Sequence, residues 1–151
     1  MKNVHVECYP DEALVKKLGF TRKCIIHHAG RSRVFKKLSQ MNGGLAVVDE
    51  DLGSPRSTYE KNLRFVEESN GLKLYADSLQ NKAIVLNDKL ESWIVYLCKS
   101  SGVKLSDFKL PDKPKQLHDV IHHSIPKFEA LLDHLVEINS PGLAQLSKWL
   151  K

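Results

Sequence analysis

The sequence of this 151-residue chain predicts an α/β protein with a four- or five-stranded, mostly parallel sheet flanked by helices. Short apolar runs alternate with helical segments as far as about residue 97, a pattern typical of parallel strands joined by crossover helices. The apolar content of 42% and the charged content of 27% are ordinary for a globular protein. A chain of this length can therefore bury the core of one domain.

The first half of the chain contains three predicted strands and two predicted helices. Pro10 suits the first turn of a helix, the acids after it favour the positive end of the helix dipole, and Gly19 is a suitable stop. In chain order the predicted elements are a strand at 4–8, a helix at 10–18, a strand at 24–28, a helix after 29–32 and a strand at 45–48.

The next segment contains a predicted helix, two strands and a second helix. The polar stretch from Thr58 to Ser69 is predicted to be helical and to end at Asn70-Gly71. Two short apolar runs, Leu72–Ala76 and Ala83–Leu86, are predicted strands. A helix then follows Asp88, and its apolar stripe consists of Leu90, Trp93, Ile94 and Leu97.

The last third of the chain lacks strand signals. The run Leu110–Pro114 breaks the pattern, and three helical segments follow it, at about 116–125, 127–138 and 141–150. We therefore predict an α/β domain over residues 1–109 and a helical extension over residues 110–151, packed together as a single compact unit.

Charge and composition limit the partners and the compartment. The net charge of +5 and the pI near 9.1 favour a polyanionic partner, for which nucleic acid is the expectation. No run of about 18 apolar residues occurs, so no membrane partner is expected. Glu7 falls where a signal peptide needs an apolar run, which predicts a cytoplasmic protein. The three widely spaced cysteines argue against a disulfide framework.

Acidic residues follow two of the predicted strands. Asp49 and Asp51 come directly after the buried run Leu45–Val48, and residues two apart in a strand point to the same side. Glu7 ends the first strand, so the three carboxylates share one crevice if these strands are neighbours. Open α/β sheets bind ligands at the carboxyl ends of their strands, and carboxylate oxygens suit Mg²⁺. The pattern predicts a Mg²⁺ (or Mn²⁺) site.

The motifs around these acids resemble those of the Toprim domain, in particular the small stand-alone nucleases of the overcoming-lysogenization-defect and ribonuclease M5 types. The family has a strand ending in Glu, usually followed by Gly, and later an Asp-x-Asp at a strand end. Val6-Glu7-Cys8 and Val48-Asp49-Glu50-Asp51 match this pattern, with Cys8 at the usual glycine. The resemblance covers roughly residues 3–97 and implies a Rossmann-like Toprim fold.

The resemblance also implies roles for individual residues. Glu7 is the expected general acid or base, and Asp49 and Asp51 are the expected Mg²⁺ ligands, with Glu7 as a further ligand in the nuclease branch. Asp11 and Glu91 are candidates for a second cation. Capping of a helix is the alternative role for Asp11, and a solvated helix face is the alternative for Glu91.

Basic residues near the predicted strand ends are candidates for binding phosphate groups. Arg31 and Arg33 begin the second helix, Arg56 follows the acidic motif, and Lys82 flanks a later strand. A solvated helix face is the alternative for the first two. His118 and His122 share one helix face, but no acid or cysteine pattern of the usual zinc type surrounds them, so the sequence argues against a zinc site.

We therefore expect Mg²⁺-dependent cleavage of phosphodiester bonds in nucleic acid. The alternative is a catalytically silent Toprim-like module that binds nucleic acid or a protein partner such as an ATPase, which Cys8 favours because glycine allows closer approach of phosphate. A third hypothesis is a receiver-like or phosphatase-like domain, in which Glu7, Asp11 and Asp49 would form the acidic cluster; its late-strand lysine has no firm match, although Lys82 is nearby. No phosphate-binding glycine loop of the Walker type occurs, so ATP hydrolysis by this chain is not expected.

Overall fold

The computed structural model describes residues 2–151, which form six strands and seven α-helices within that range. The strands are β1 (Val4–Val6), β2 (Ile25–His27), β3 (Leu45–Asp49), β4 (Arg64–Ser69), β5 (Leu72–Ala76) and β6 (Lys82–Leu86). The helices are α1 (Tyr9–Lys17), α2 (Arg31–Leu38), α3 (Thr58–Lys61), α4 (Leu90–Ser100), α5 (Pro114–His123), α6 (Ile125–Glu137) and α7 (Pro141–Leu150).

All six strands belong to one sheet, in the order β2-β1-β3-β6-β5-β4. The pairs β1–β2, β1–β3 and β3–β6 are parallel, whereas β5 runs antiparallel to both β6 and β4. The chain moves from β1 to β2 on one side and then returns to place β3 on the other side of β1. The sheet therefore has a topological switch point between β1 and β3, where α/β proteins of this class bind ligands. The predicted α/β class with a mostly parallel sheet is confirmed.

The sheet has one strand more than the four or five expected, because the prediction of a helix over Thr58–Ser69 is wrong. The helix in this stretch ends at Lys61, and β4 begins at Arg64. Asn70 and Gly71 both have left-handed backbones, with φ of 54° and 74°, and they join β4 to β5 as a two-residue hairpin turn. Asn-Gly is the preferred sequence for such a turn because both positions need positive φ.

The sheet carries an apolar layer on each face. Val47 packs in the larger layer with α1, α4 and the C-terminal helices, whereas Val48 faces the smaller layer with α2. Phe128 and Leu146 of the C-terminal segment are fully buried in the larger layer, together with Val4 of the first strand. The helical segment after residue 110 thus shares its core with the sheet. The longest helix among residues 2–151, α6, has 13 residues, and none is long and apolar enough to cross a membrane.

Gly142 offers a test of this shared core. A Cβ atom at Gly142 would overlap the side chain of Leu97, which is fully buried in α4 and cannot move without disturbing the core. We predict that Gly142→Ala lowers the free energy of unfolding by about 1–3 kcal/mol, as overpacking of a core does. Urea unfolding measures the change.

Gly53→Ala is the matched control, since no atom lies within 4 Å of the added Cβ. It should change the stability by less than about 0.5 kcal/mol. Equal stability of the Gly142→Ala protein and the wild type would show that α7 does not pack on α4.

Candidate metal centre

The carboxyl ends of β1 and β3 bring the predicted acidic residues to one edge of the sheet. Val4 pairs with Leu45 and His5 pairs with Ala46, so the two strands run side by side in the same direction. Glu7 follows β1 directly, and Asp49 is the last residue of β3. Strands β1 and β3 are therefore neighbours, as the prediction of a shared crevice requires. We call Glu7, Asp11, Asp49 and Asp51 together the acid crevice.

Glu7 is partly buried beside like charges. Burial raises the pKa of its carboxyl group to about 7, with further contributions from the charges of Asp49 and Asp51 and an opposing one from Arg31. Its Oε1 atom is buried and has no hydrogen-bond partner among residues 2–151. A buried carboxylate oxygen without a donor is unfavourable, and a cation would satisfy it.

Asp11 lies in the first turn of α1 and is only 1% exposed. Burial and the charge of Asp49 raise the pKa of its carboxyl group. The Cys8 thiol and the Glu7 backbone N–H lower that pKa, but they do not reach hydrogen-bonding geometry, and both carboxylate oxygens are without a partner in the described chain. Capping of α1, the alternative role for Asp11, requires a hydrogen bond that this geometry does not provide.

Asp49 is held by contacts on both its side chain and its backbone. Its Oδ1 atom accepts a hydrogen bond of 3.0 Å from the backbone N–H of Leu90, and its carbonyl oxygen accepts one of 2.9 Å from Arg31 Nε. Burial, followed by the charge of Glu91, raises the pKa of Asp49 to about 6, although the Leu90 N–H opposes this shift. The first turn of α4 thus fixes the orientation of this carboxylate.

Asp51 reaches the crevice by a route that differs from the prediction. It lies beyond the end of β3 with a left-handed backbone (φ 44°), so the alternation of side chains along a strand does not place it. One carboxylate oxygen accepts a hydrogen bond from the Ser54 hydroxyl. Its charge nevertheless raises the pKa of both Glu7 and Asp49, so it borders the same crevice.

Cys8, at the position of the family's usual glycine, precedes α1 with an extended backbone (φ −150°) that any residue adopts. The position does not require glycine for conformational reasons. Burial, followed by the charge of Asp11, raises the pKa of the Cys8 thiol far above its ordinary value. The thiol therefore stays protonated and is no reactive nucleophile at neutral pH.

Arg31 and Arg56 are both bound by Glu60, a residue that the sequence did not single out. Arg31 Nη1 and Nη2 each lie 2.6 Å from a carboxylate oxygen of Glu60, and Arg56 Nε lies 3.0 Å from Oε2. Arg56 also donates to the carbonyl oxygens of Glu50 and Asp51, at 2.6 and 3.1 Å. We call Arg31, Arg56 and Glu60 together the arginine clamp. Its hydrogen bonds to backbone carbonyl groups fix the loop after β3. Phosphate binding by either arginine stays a prediction, and it would require the release of Glu60.

The two predicted phosphate-binding residues outside the clamp differ in position. Arg33 is exposed on α2, consistent with the solvated helix face that we gave as its alternative. Lys82 pairs with Leu45 at the amino end of β6, four residues and about 13 Å along the sheet from Asp49. Parallel pairing therefore puts Lys82 at the edge of the sheet opposite the acid crevice, and phosphate binding by Lys82 stays a prediction. The receiver-like hypothesis has no firm match for its late-strand lysine, and this position of Lys82 does not provide one.

A cavity of about 290 Å³ lies next to the arginine clamp. Its lining combines the charged groups of the clamp with the apolar side chains of Phe35 and Leu52. The lining also includes Glu50 and Glu60, and both arginines are already paired with the Glu60 carboxylate. Glu50 follows β3, and its carboxylate forms an ion pair of 2.7 Å with Lys73.

A second cluster of potential metal ligands consists of Glu91, His118 and His122, which we call the histidine cluster. One ligand atom from each residue lies within 4.8 Å of the others. Within residues 2–151 no other three acidic, histidine or cysteine side chains meet this criterion, so the acids of the crevice lie farther apart.

The histidine cluster was missed because its acid lies 27 residues before His118. The expectation that no acid accompanies His118 and His122 is wrong, since the packing of α5 on α4 supplies one. The i, i+4 spacing of the two histidines was the only local signal. Glu91 itself, predicted as a ligand for a second cation, is part of this cluster.

The shifted pKa of Glu7 predicts a specific dependence of stability on pH without divalent cations. The folded protein holds a proton on Glu7 up to about pH 7, whereas an ordinary glutamate releases it near pH 4.5. The folded state therefore binds more protons between these values, and stability falls as pH rises through this window. The Glu7→Gln protein lacks this loss, so its stability relative to wild type should rise, by at most about 3 kcal/mol.

Urea unfolding in EDTA at several pH values between 4.5 and 7.5 measures this difference. Glu50→Gln is the control: although burial opposes the effect, the hydrogen bond from Lys73 lowers the pKa of Glu50, so its contribution changes at lower pH. A stability difference between wild type and Glu7→Gln that stays constant across the window would contradict the burial of Glu7.

Comparisons of the chain with models of known protein families, with curated proteins and with solved structures found no match. The Toprim resemblance accordingly stays a prediction that depends on the motifs around Glu7 and Asp49.

Proposed function

We propose that this chain cleaves phosphodiester bonds in nucleic acid with the help of Mg²⁺ or Mn²⁺ bound in the acid crevice. The observation that carries the proposal is the set of buried carboxylate oxygens, Oε1 of Glu7 and both oxygens of Asp11, that form no hydrogen bond within residues 2–151. These oxygens lie beside Asp49 at the switch point of the sheet. A divalent cation offsets both the missing hydrogen bonds and the repulsion among the acids.

The donor set suits a hard cation. Glu7, Asp49 and Asp51 would hold the first ion through carboxylate oxygens, the ligands that Mg²⁺ prefers. Asp11 is our candidate ligand for a second ion, since burial and the charges of Asp49 and then Glu7 raise the pKa of its carboxyl group. After burial, the charge of Glu91 in the first turn of α4 is the next cause that raises the pKa of Asp49. Two-ion sites of this kind are common in nucleases.

A bound ion would neutralise charge on the phosphate and lower the pKa of a water molecule. The protein's own groups would do the rest. Glu7 would accept the proton from the attacking water, in the role that the Toprim resemblance implies. The water oxygen bonds to phosphorus as the bond from phosphorus to one sugar oxygen breaks, and that leaving oxygen takes up a proton from solvent. Hydrogen bonds from Leu90 and Arg31 fix the position of Asp49, so its carboxylate stays at the crevice at the end of β3.

The net charge of +5 supports a polyanionic substrate. The acid crevice lies at one edge of the sheet, whereas the chain as a whole carries more basic than acidic residues. Nucleic acid, as DNA or RNA, satisfies both features, because its phosphates would be attracted by the chain and bridged to the crevice through the cation.

Substitution of the crevice acids tests the enzymatic proposal. Glu7→Gln should reduce Mg²⁺-dependent cleavage of single- and double-stranded DNA and RNA by about 10²- to 10⁴-fold, the range for loss of a general base. Asp49→Asn should reduce both cleavage and Mn²⁺ binding measured by calorimetry. Glu50→Gln is the matched control, since Glu50 lies between the two aspartates but binds Lys73. The proposal fails if no nucleic acid is cleaved, or if Glu7→Gln matches the wild type.

A catalytically silent module is the second candidate, and Cys8 is the observation that favours it. The thiol lies at the entrance of α1 where the family usually has glycine, and its bulk limits the approach of a phosphate to the backbone. A silent module would bind nucleic acid without Mg²⁺. A protein partner such as an ATPase has a possible contact in edge strand β4, where Phe65 and Val66 are exposed.

Cys8→Gly separates the two candidates. The extended backbone at this position tolerates glycine, so the variant should fold as the wild type does. If phosphate approach limits an active site, Cys8→Gly should raise the rate of Mg²⁺-dependent cleavage by at least about tenfold, equivalent to about 1.4 kcal/mol. An undetectable cleavage rate in both proteins, together with nucleic-acid binding that EDTA does not weaken, would favour the silent module.

A further inference from the structure

The histidine cluster joins α5 of the helical extension to α4, next to the acid crevice. Glu91 is the second residue of α4, and its side chain is only 6% exposed. His118 and His122 lie one turn apart on α5, with their ring centroids 4.2 Å from each other. His118 Nδ1 lies 2.6 Å from Glu91 Oε1. A buried carboxylate thus faces two imidazole rings across a helix–helix contact.

The chemistry of these donors differs from that of the crevice. Two imidazole nitrogens and one carboxylate oxygen favour zinc and its neighbours among the divalent transition metals over Mg²⁺, which prefers oxygen ligands alone. Three protein ligands leave at least one coordination position for water or an anion. The His118 side chain is 55% exposed and His122 is exposed, so an ion can enter from solvent.

A simple hydrogen bond between His118 and Glu91 accounts for only part of this arrangement. It does not require a second imidazole, yet the His122 ring lies against that of His118. Two adjacent protonated histidines would repel one another, whereas two neutral ones can bind a shared cation. The positions of all three donor atoms, within 4.8 Å of one another, fit ligands around a single ion.

We propose that Glu91, His118 and His122 bind one divalent transition-metal ion of the zinc class. The ion ties α5 to α4 and lies next to the residue that holds Asp49, because Leu90, which donates to Asp49, precedes Glu91. This site stands apart from the proposed chemistry of the acid crevice and does not depend on it.

Binding of Co²⁺ and Zn²⁺ to the metal-stripped full chain tests the proposal. Co²⁺ gives a visible absorption spectrum that reports nitrogen and oxygen ligands, and calorimetry with Zn²⁺ gives the affinity and stoichiometry. We expect one equivalent of metal per chain in the variant that combines Glu7→Gln with Asp49→Asn, in which the acid crevice is disabled. His122→Gln and Glu91→Gln should each weaken Zn²⁺ binding by at least about tenfold and change the Co²⁺ spectrum.

His123→Gln is the matched control, because His123 is exposed on the same helix and lies outside the cluster. It should bind both metals as the wild type does. The variant that combines Glu7→Gln with Asp49→Asn should also retain the Co²⁺ spectrum, which keeps this result distinct from failure of the crevice.

Three outcomes would overturn the proposal. In the first, the wild type binds no Zn²⁺. In the second, Glu91→Gln binds Zn²⁺ as tightly as the wild type, which would mean that the exposed histidine pair alone captures the ion. In the third, the Co²⁺ spectrum is lost with the crevice acids and retained in His122→Gln, which would place the ion in the crevice.

Discussion

The parallel pairing of β1 with β3 is the constraint on which the candidate site depends. Because the two strands run side by side in one direction, the residues that follow them must meet at the same edge of the sheet. Glu7 and Asp49 therefore share a poorly solvated region with Asp11, and burial raises the pKa of all three carboxyl groups. Such an arrangement costs stability in the absence of a cation, and it is the feature from which we infer a metal-dependent function.

The surroundings of the crevice restrict how its acids can move. The first turn of α4 fixes the Asp49 carboxylate through the Leu90 N–H, and the arginine clamp holds the loop that carries Asp51. Leu90, Arg56 and Glu60 follow β3 in the chain, whereas Arg31 of the clamp comes from α2, before β3. The helical extension adds a third support, since His118 on α5 binds Glu91 at 2.6 Å. One end of α4 therefore links the two groups of potential metal ligands.

The sequence predicted the fold class and the meeting of Glu7 with Asp49 because both follow from short-range patterns: apolar runs, their spacing and the edge at which a strand ends. It did not predict β4, whose residues are almost all exposed and show no apolar alternation, although Asn70-Gly71 was a hairpin signal. Lys82 lies at the amino end of β6, away from the crevice, and the edge that a residue occupies depends on strand pairing, which a local sequence pattern does not give. Glu60 and the partnership of Glu91 with His118 depend on contacts between distant segments, which no local pattern reveals.

The most direct test of the central claim is a crystal structure of the wild-type chain soaked in Mn²⁺ and measured for anomalous scattering. The account predicts an anomalous peak bounded by the carboxylates of Glu7 and Asp49, with their oxygens drawn closer together than in the cation-free protein. A structure that shows no peak there, with Glu7 and Asp49 turned away from one another and the only bound Mn²⁺ elsewhere, would contradict it.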